Sequence, residues 1–337
     1  MSADPQAALD WALRDAPRVD ASLGIGMWSV VPASDHVTVL QVRRSLADLV
    51  VPAADVVPEL PEDLRSMDRV VVFPERQARA AEAQIGVGWS HLRPGGELWV
   101  VAPKRGGAAR IGKRMGTWHP EVEVMSKHHC RVFRLVRREG VDDAVPASWA
   151  ATWRPEQGPS GHTTLPGLFA WDRVDAGSAL LANTLPENLA GTAADVGCGW
   201  GYLSLELRSR CPQIEVIHML DDDYRAVQLA KANLAGKGAT SVRWVDASKG
   251  LGLSGLDVVV CNPPFHDGRG ATTPDLGRAM IAQCARALHP YGQAWFVANR
   301  HLAYERTLEH AFKRFVEVRA EGGFKIIKAT QPRRGSV

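Results

Sequence analysis

Ala193-Ala194-Asp195-Val196-Gly197-Cys198-Gly199-Trp200-Gly201 is a short apolar strand running into three alternating glycines, and Tyr202–Arg210 behind it reads as a helix. Glycines at such a turn let the chain reverse sharply and let a ligand come close to the backbone. A strand, glycine turn and helix in that order open a doubly wound α/β sheet. Working outward, Glu215–Leu220 is a second strand that ends in Asp221, Asp222 and Asp223. Tyr224–Ala235 follows as a helix, with Val227, Leu229, Ala230 and Leu234 on one face. Ser241–Val245 is a third strand. Leu256–Cys261 is a continuous apolar run, as a parallel strand buried on both faces requires, and it stops at Asn262-Pro263-Pro264-Phe265. Pro274–Leu288 reads as a helix, Gln293–Ala298 as a fifth strand, and residues 315–330 as two more strands around Gly322-Gly323. The alternation predicts a seven-stranded, mostly parallel sheet with helices on both faces.

The first part of the chain repeats this plan. Leu92-Arg93-Pro94-Gly95-Gly96-Glu97-Leu98-Trp99-Val100-Val101-Ala102 matches Leu288-His289-Pro290-Tyr291-Gly292-Gln293-Ala294-Trp295-Phe296-Val297-Ala298 at Leu, Pro, Gly, Trp, Val and Ala. Arg69–Pro74 parallels Val258–Pro263, and Leu23-Gly24-Ile25-Gly26 parallels Val196-Gly197-Cys198-Gly199 more weakly. Three matches in one order indicate a duplicated α/β fold. On this alignment Ser22 stands where the second copy has Asp195, Trp28 where it has the third glycine, and Phe73 where it has Asn262. The expected organisation is a degenerate domain over 1–145, a Pro-, Gly-, Ser- and Thr-rich linker over 146–164, and a working domain over 165–337.

Composition agrees with two domains. The chain has 337 residues, 45% hydrophobic and 23% charged, an ordinary soluble balance that excludes disordered and collagenous classes. No apolar run is long enough to span a bilayer. The N-terminus lacks a basic-then-apolar leader, so a cytoplasmic placement without membrane attachment is expected. Five scattered cysteines without a C-x-x-C pair argue against a disulfide framework and a zinc site, and no metal is expected. Trp89, Trp99 and Trp295 sit at core positions of their helices and strands. The net charge of +3 hides an uneven distribution: Lys104–Arg138 holds ten Lys/Arg against Glu121 and Glu123. Lys104, Arg105, Arg110, Lys113, Arg114, Lys127 and Arg131 are candidate contacts to an RNA backbone. A solvated basic face without a partner fits the same residues.

The chemistry concentrates in the second copy. Its spacing is G-x-G-x-G rather than the G-x-G-x-x-G of dinucleotide sites, and Asp195 precedes it by one residue. An acid there opposes a pyrophosphate and suits a cationic amino-acid ligand. S-adenosyl-L-methionine, with a sulfonium, an ammonium and no phosphate, fits; a purely structural turn is the plain alternative. Asp221, at the end of the second strand, is placed to accept both ribose hydroxyls. Asp222 and Asp223 are rivals, and one of the three can instead cap the next helix. Asp246 can accept from an adenine amino group or cap a turn. Asn262 and the Pro263 carbonyl can both accept from a planar exocyclic amine, orienting its nitrogen toward a methyl donor. Phe265 offers a face for a flipped base. His266 and Asp267 form no triad with a visible third partner.

With these motifs in place the chain resembles the ribosomal RNA guanine-N2 methyltransferases of the small-subunit methyltransferase C and large-subunit methyltransferase G type. The resemblance rests on Leu165-Pro166-Gly167-Leu168-Phe169, Asp175-Ala176-Gly177-Ser178, the Asp195–Gly201 turn, Asn262–Gly268, Val297-Ala298-Asn299 and Gly323-Phe324-Lys325. It implies two tandem class I (Rossmann-like) methyltransferase domains, the first aiding RNA binding, and methyl transfer from S-adenosyl-L-methionine to N2 of a guanine in rRNA. It implies that Asn262, Pro263 and Phe265 are catalytic, and that Asp195, Gly197, Cys198, Gly199, Gly201, Asp221, Asp222, Asp246 and Asn262 hold the cofactor. The partner it implies is rRNA or a ribosomal subunit, and a monomer is expected. Two rivals remain: a glutamine-N5 protein methyltransferase, which suits the same Asn262–Phe265 tetrad, and a catalytically inactive RNA-binding or assembly protein.

Overall fold

The computed structural model describes residues 3–27, 34–50, 54–264 and 274–333. The chain divides into two compact units, Met1–Arg154 with Leu165–Gly167 and Pro155–Thr164 with Leu168–Val337.

The first unit runs α1 (Pro5–Leu13), β1 (Val19–Ile25), β2 (Ser34–Leu40), α2 (Arg44–Ala47), β3 (Asp55–Val57), β4 (Met67–Val72), α3 (Ala78–His91), β5 (Leu92–Pro103), α4 (Ala108–Met115), β6 (Glu123–Lys127), β7 (Cys130–Val136) and α5 (Ala144–Ala151). The second begins with a small ribbon of β8 (Glu156–Gln157) and β9 (Thr163–Thr164). It continues through α6 (Ala176–Thr184), β10 (Ala190–Val196), α7 (Tyr202–Arg210), β11 (Gln213–Asp221), α8 (Tyr224–Asn233), β12 (Ala239–Trp244), β13 (Leu256–Cys261), α9 (Pro274–Ala287), β14 (Leu288–Asn299), α10 (Glu305–Ala311), β15 (Phe312–Glu321) and β16 (Phe324–Pro332).

The sheet orders are β3-β2-β1-β4-β5-β7-β6 and β12-β11-β10-β13-β14-β16-β15, the same order twice. In each, six strands run in one direction and the sixth in the order, β7 or β16, runs against them. The expected duplicated α/β fold with two seven-stranded sheets is therefore what the chain forms.

Both faces of the second sheet are covered, which explains its apolar central strands. Along β13, Val258 and Val260 face α6, α7 and α8 through Leu181, Leu203, Leu207 and Val227. Val259 and Cys261 face α9 through Met280, Ile281 and Cys284. The alternation follows the two-residue period of a strand. Caps set the helix starts: Asp175 accepts from the Ser178 amide at α6, and Asp223 from the Arg225 amide at α8.

Strand register corrects the motif alignment between the copies. Ile25 pairs with Val72 as Val196 pairs with Cys261, and these two positions immediately precede Phe73 and Asn262. The Gly26 amide donates to the Leu40 carbonyl at 3.0 Å, and the Gly197 amide donates to the Leu220 carbonyl at 2.8 Å. Gly26 is thus the counterpart of Gly197, and the residue in place of Asp195 is Gly24, not Ser22. A side chain at Gly24 would meet the Met27 sulfur at 2.8 Å, so thioether fills the space the acid occupies in the second unit. Trp28 lies outside the described residues.

The stretch read as a linker over 146–164 begins as helix. α5 packs its buried Trp149 against α3, where Gly86 lets the backbones approach; a Cβ there would lie 2.5 Å from the Pro146 carbonyl oxygen. Pro146 lies in the first turn of α5, where a missing amide proton costs nothing, so its presence did not signal a break.

Candidate active site

The carboxyl ends of β10 and β13 are neighbours in the second sheet, and the two motif turns leave from them. A Cβ on Gly197 would lie 4.0 Å from the Asn262 carbonyl oxygen, so the glycine turn and the Asn262 turn abut. Gly197, Gly199 and Gly201 have φ of +78°, +54° and +95°, all in the left-handed region that favours glycine. They serve different ends. A Cβ at Gly201 would press on Leu234, just past α8, and on Ala230 of α8 at 3.0 and 3.2 Å, a packing constraint. At Gly199 it would meet nothing within 4 Å, so that part of the turn faces open space.

Asp195 is fully buried at the end of β10. Its Oδ2 accepts from the Ser204 hydroxyl at 2.7 Å, while its Oδ1 is buried without a hydrogen-bond partner among the described residues. Burial pushes the carboxyl up to about 7; the Ser204 hydrogen bonds oppose that rise, and the Asp221 charge adds to it. A buried carboxylate oxygen left unpaired is costly, and a cationic ligand group would satisfy it.

Asp221 holds the turn itself. One of its oxygens accepts from the Gly199 amide at 2.9 Å and the other from the Asp223 amide at 2.8 Å. The three consecutive acids separate clearly. Asp223 caps α8 and is paired with Arg225 in a buried ion pair at 2.7 Å, which makes it the structural member. Asp222 is half-buried, and its carbonyl accepts from the Trp244 indole at 2.8 Å. Asp246 accepts from the Ser248 amide and hydroxyl at 3.1 and 2.6 Å and pairs with Lys249 at 3.3 Å. Those bonds are the turn-capping alternative named for Asp246. Cys198 is held by its backbone. Its amide donates to Leu220, its carbonyl accepts from Gly201, and its side chain is buried in the core on that face of the sheet. Burial raises its thiol well above the usual range.

Asn262 is half-buried just beyond β13. Its Nδ2 donates to Asp175 Oδ2 at 3.0 Å and to Ser178 Oγ at 2.9 Å, while its Oδ1 has no partner among the described residues. No hydrogen bond among the described residues claims the Pro263 carbonyl either. Two unclaimed acceptors therefore belong to consecutive residues at the carboxyl end of a central strand, next to the glycine turn. Phe265, His266 and Asp267 lie outside the described residues. Tyr304 is a further neighbour that motif reading passed over: it is buried, and its hydroxyl would collide with any side chain at Gly277 of α9, beside Pro263. Asp175 and Ser178 belong to a sequence motif to which residue type alone assigns no role. The pattern of a helix start is legible there, an acid followed three positions later by serine. Which residue that cap reaches, 87 positions away, is not.

In the first unit the basic segment divides into two sets. Arg114 pairs with Glu82 at 2.8 Å and lies over the Trp149 ring. Arg134 pairs with Glu97 and Glu123, Arg137 with Asp143, and Arg138 with Glu121. Counting charge within the segment missed Glu82, Glu97 and Asp143, which folding brings in from outside it. Arg114 differs from the other candidate RNA contacts in having a carboxylate partner within the protein. Lys104, Arg105, Arg110, Lys113, Lys127 and Arg131 have no ion-pair partner among the described residues, and all but the half-buried Arg131 are exposed. The Lys104 amide donates to the His129 carbonyl at 2.9 Å, which gathers Lys104, Arg105, Lys127 and Arg131 at the carboxyl end of β5 beside the β6–β7 turn.

Among the described residues no three His, Cys, Asp or Glu side chains are grouped to hold a metal ion, and no helix is long and apolar enough to cross a membrane.

Comparison with known proteins places these features. Residues 161–328 match the family model described as the methyltransferase small domain. A Shewanella amazonensis protein named ribosomal RNA small subunit methyltransferase C is 31% identical over 265 residues, covering 76% of this chain and 75% of its own. A Salmonella newport protein of the same name is 30% identical over 274 residues, covering 80% and 78%. Among solved structures, a T. thermophilus 16S rRNA N2 methyltransferase in complex with AdoMet and guanosine superposes with a TM-score of 0.78, covering 96% of this chain and 92% of that one at 24% identity. At that identity the likeness speaks for the fold.

Proposed function

The chain belongs to the ribosomal RNA small subunit methyltransferase C family, and from that premise we propose that it methylates the exocyclic N2 amine of a guanine in small-subunit rRNA, using S-adenosyl-L-methionine. The observation that carries the proposal is the pair of unclaimed acceptors, Asn262 Oδ1 and the Pro263 carbonyl, beside a glycine turn whose acid keeps one oxygen unpaired. That turn fits the cofactor: Asp195 Oδ1 suits its ammonium, the open face at Gly199 admits it, and Asp221 lies at the strand end where a ribose is held. When bound, S-adenosylmethionine supplies an electrophilic methyl on a sulfonium.

The protein's part is positioning. Asn262 Oδ1 and the Pro263 carbonyl each accept one N–H of the amine, which fixes the plane of the group and leaves the nitrogen lone pair facing the glycine turn. Both acceptors gain as the amine becomes cationic during transfer, so they favour the transition state over the ground state. Phe265 is the candidate stacking face for the base. In the first unit, Gly24 and Phe73 stand where the acid and the Asn would be, so we assign that unit no catalysis. Its Lys104, Arg105, Lys127 and Arg131 cluster is the proposed RNA contact. Family membership disfavours the glutamine-N5 rival, and the held Asn262 amide disfavours an inactive protein.

The test is tritiated methyl transfer to unmodified small-subunit rRNA, with the product base identified by mass spectrometry. Asn262→Ala should lose most turnover while still binding S-adenosylmethionine in calorimetry. Full turnover by that variant, or label recovered in protein rather than rRNA, would overturn the assignment.

A further inference from the structure

We propose that Asp175 and Ser178 are positioning residues for methyl transfer, acting by holding both Nδ2 protons of Asn262 so that only its Oδ1 can face the substrate amine. The inference rests on the amine-holding role of Asn262 proposed above and assigns the orientation of that side chain to two named partners.

Donors and acceptors decide the matter. An Asn side chain has two N–H donors on one end and an acceptor oxygen on the other, and a half-turn about its last bond exchanges them. At a site that must accept from an amine, the exchanged orientation is unproductive: it sets N–H against N–H. An isolated Asn has no reason to prefer either. Here both donors are taken, one by Asp175 Oδ2 at 3.0 Å and one by Ser178 Oγ at 2.9 Å. Turning the amide over would place Oδ1 against a carboxylate oxygen, exchanging a charge-assisted hydrogen bond for a repulsion. The carboxylate sets the orientation, because a hydroxyl such as Ser178 can donate or accept and is indifferent to the flip.

The two partners come as a unit. Asp175 caps α6, and the same Oδ2 that accepts from Asn262 accepts the Ser178 amide at 2.8 Å. The cap therefore fixes the position of its own carboxylate and of Ser178, three residues later on the same turn. Gly177 between them is buried, and a Cβ there would lie 2.9 Å from the Phe324 ring of β16 and 3.2 Å from Asp175 Oδ2. That glycine lets the capped turn seat against the sheet. A cap alone needs one acceptor for one amide; a carboxylate oxygen shared with a side chain from the end of another strand goes beyond what α6 requires.

Asp175→Ser separates the two roles, since serine caps helices about as well as aspartate but offers no carboxylate. The measurements are thermal unfolding, S-adenosylmethionine binding by calorimetry, and single-turnover methyl transfer to unmodified small-subunit rRNA with enzyme in excess. The expected result for Asp175→Ser is an unfolding midpoint and cofactor affinity close to wild type, with a transfer rate down about tenfold or more and little change in the rRNA concentration needed for half-maximal rate. In the Asn262→Ala background the same change should lower the residual rate by less than about twofold, since there is no amide left to orient. Wild-type transfer by Asp175→Ser overturns the proposal, as does an equal loss in both backgrounds. If Asn262→Ala itself transfers methyl at the wild-type rate, the amine-holding role fails and this inference falls with it. If Asn262→Ala is impaired and Asp175→Ser is not, the role stands and only the orienting partners are wrong.

Discussion

Asp195 should make the stability of the protein and its affinity for S-adenosylmethionine depend on pH in opposite senses. The carboxyl is fully buried, and that burial carries it up to about 7 from an ordinary value of 3.8. The folded-state value is raised, so the native protein holds the proton more tightly than the unfolded chain. The stabilising contribution is complete below the unfolded value and is lost as pH rises through the folded one. A tenfold change in proton affinity is worth about 1.4 kcal/mol, so between about pH 5 and about pH 8 this one group removes roughly 2.5 kcal/mol of unfolding free energy. Asp195→Asn keeps the shape and cannot titrate. Urea unfolding of wild type and variant at the two pH values isolates the contribution: the stability of wild type relative to Asp195→Asn should fall by that amount on going to the higher pH. The ligand reverses the sense. An ammonium is held by the ionised form, so affinity of the apo-protein should be about a hundredfold weaker near pH 5 than near pH 8, flattening above pH 7. Binding should also release a proton, visible as a dependence of the calorimetric heat on the buffer. A stability difference that does not change with pH would refute the role given to burial. Pronounced affinity loss at low pH that persists in Asp195→Asn would place the titrating group elsewhere.

Calorimetric titration with S-adenosylmethionine should give one site per chain rather than two, because Gly24 has replaced the acid of the first unit and the Met27 sulfur fills its space; a stoichiometry of two would contradict the register comparison. For rRNA binding, replacing Lys104, Arg105 and Arg131 with Gln should lower the slope of log affinity against log salt by about 0.7–0.9 for each phosphate no longer neutralised. The same change at the ion-paired Arg134, Arg137 and Arg138 should leave that slope unchanged, and equal effects from the two sets would remove the assigned surface. Gly201→Ala should cost about 1–3 kcal/mol of stability in urea unfolding, since φ is +95° and the new methyl meets Ala230 of α8 and the adjoining Leu234. Gly199→Ala, with open space around it, should cost only the backbone strain.

Much of the second unit was legible in its sequence because the signals there are local. A strand buried on both faces must be apolar throughout, so Leu256–Cys261 announced itself. A tight turn at positive φ needs glycine, so Gly197, Gly199 and Gly201 marked the end of a strand. A helix start favours a capping oxygen, so a structural role for one of the consecutive acids at Asp221–Asp223 was a reading the sequence offered. The repeat of Leu92–Ala102 in Leu288–Ala298, with two further matches in the same order, revealed that the fold occurs twice. Those conclusions depend on residues a few positions apart, where backbone geometry dictates side-chain type.

What the tertiary structure decided depends on residues brought together from far along the chain. Only strand register showed that Gly24, not Ser22, replaces the acid, because a two-residue offset in a weak motif is invisible without the pairing to β4. Only packing chose Asp223 as the cap and sent Cys198 into the core. Only folding brought Glu82, Glu97 and Asp143 onto arginines of the basic segment, cutting a local excess of positive charge down to its unpaired part. And only the contact of the α6 cap with the end of β13 settled which way the Asn262 amide points. The sequence named the chemistry through residue type and spacing; the direction in which each polar group faces is set by partners it meets only when the chain is folded.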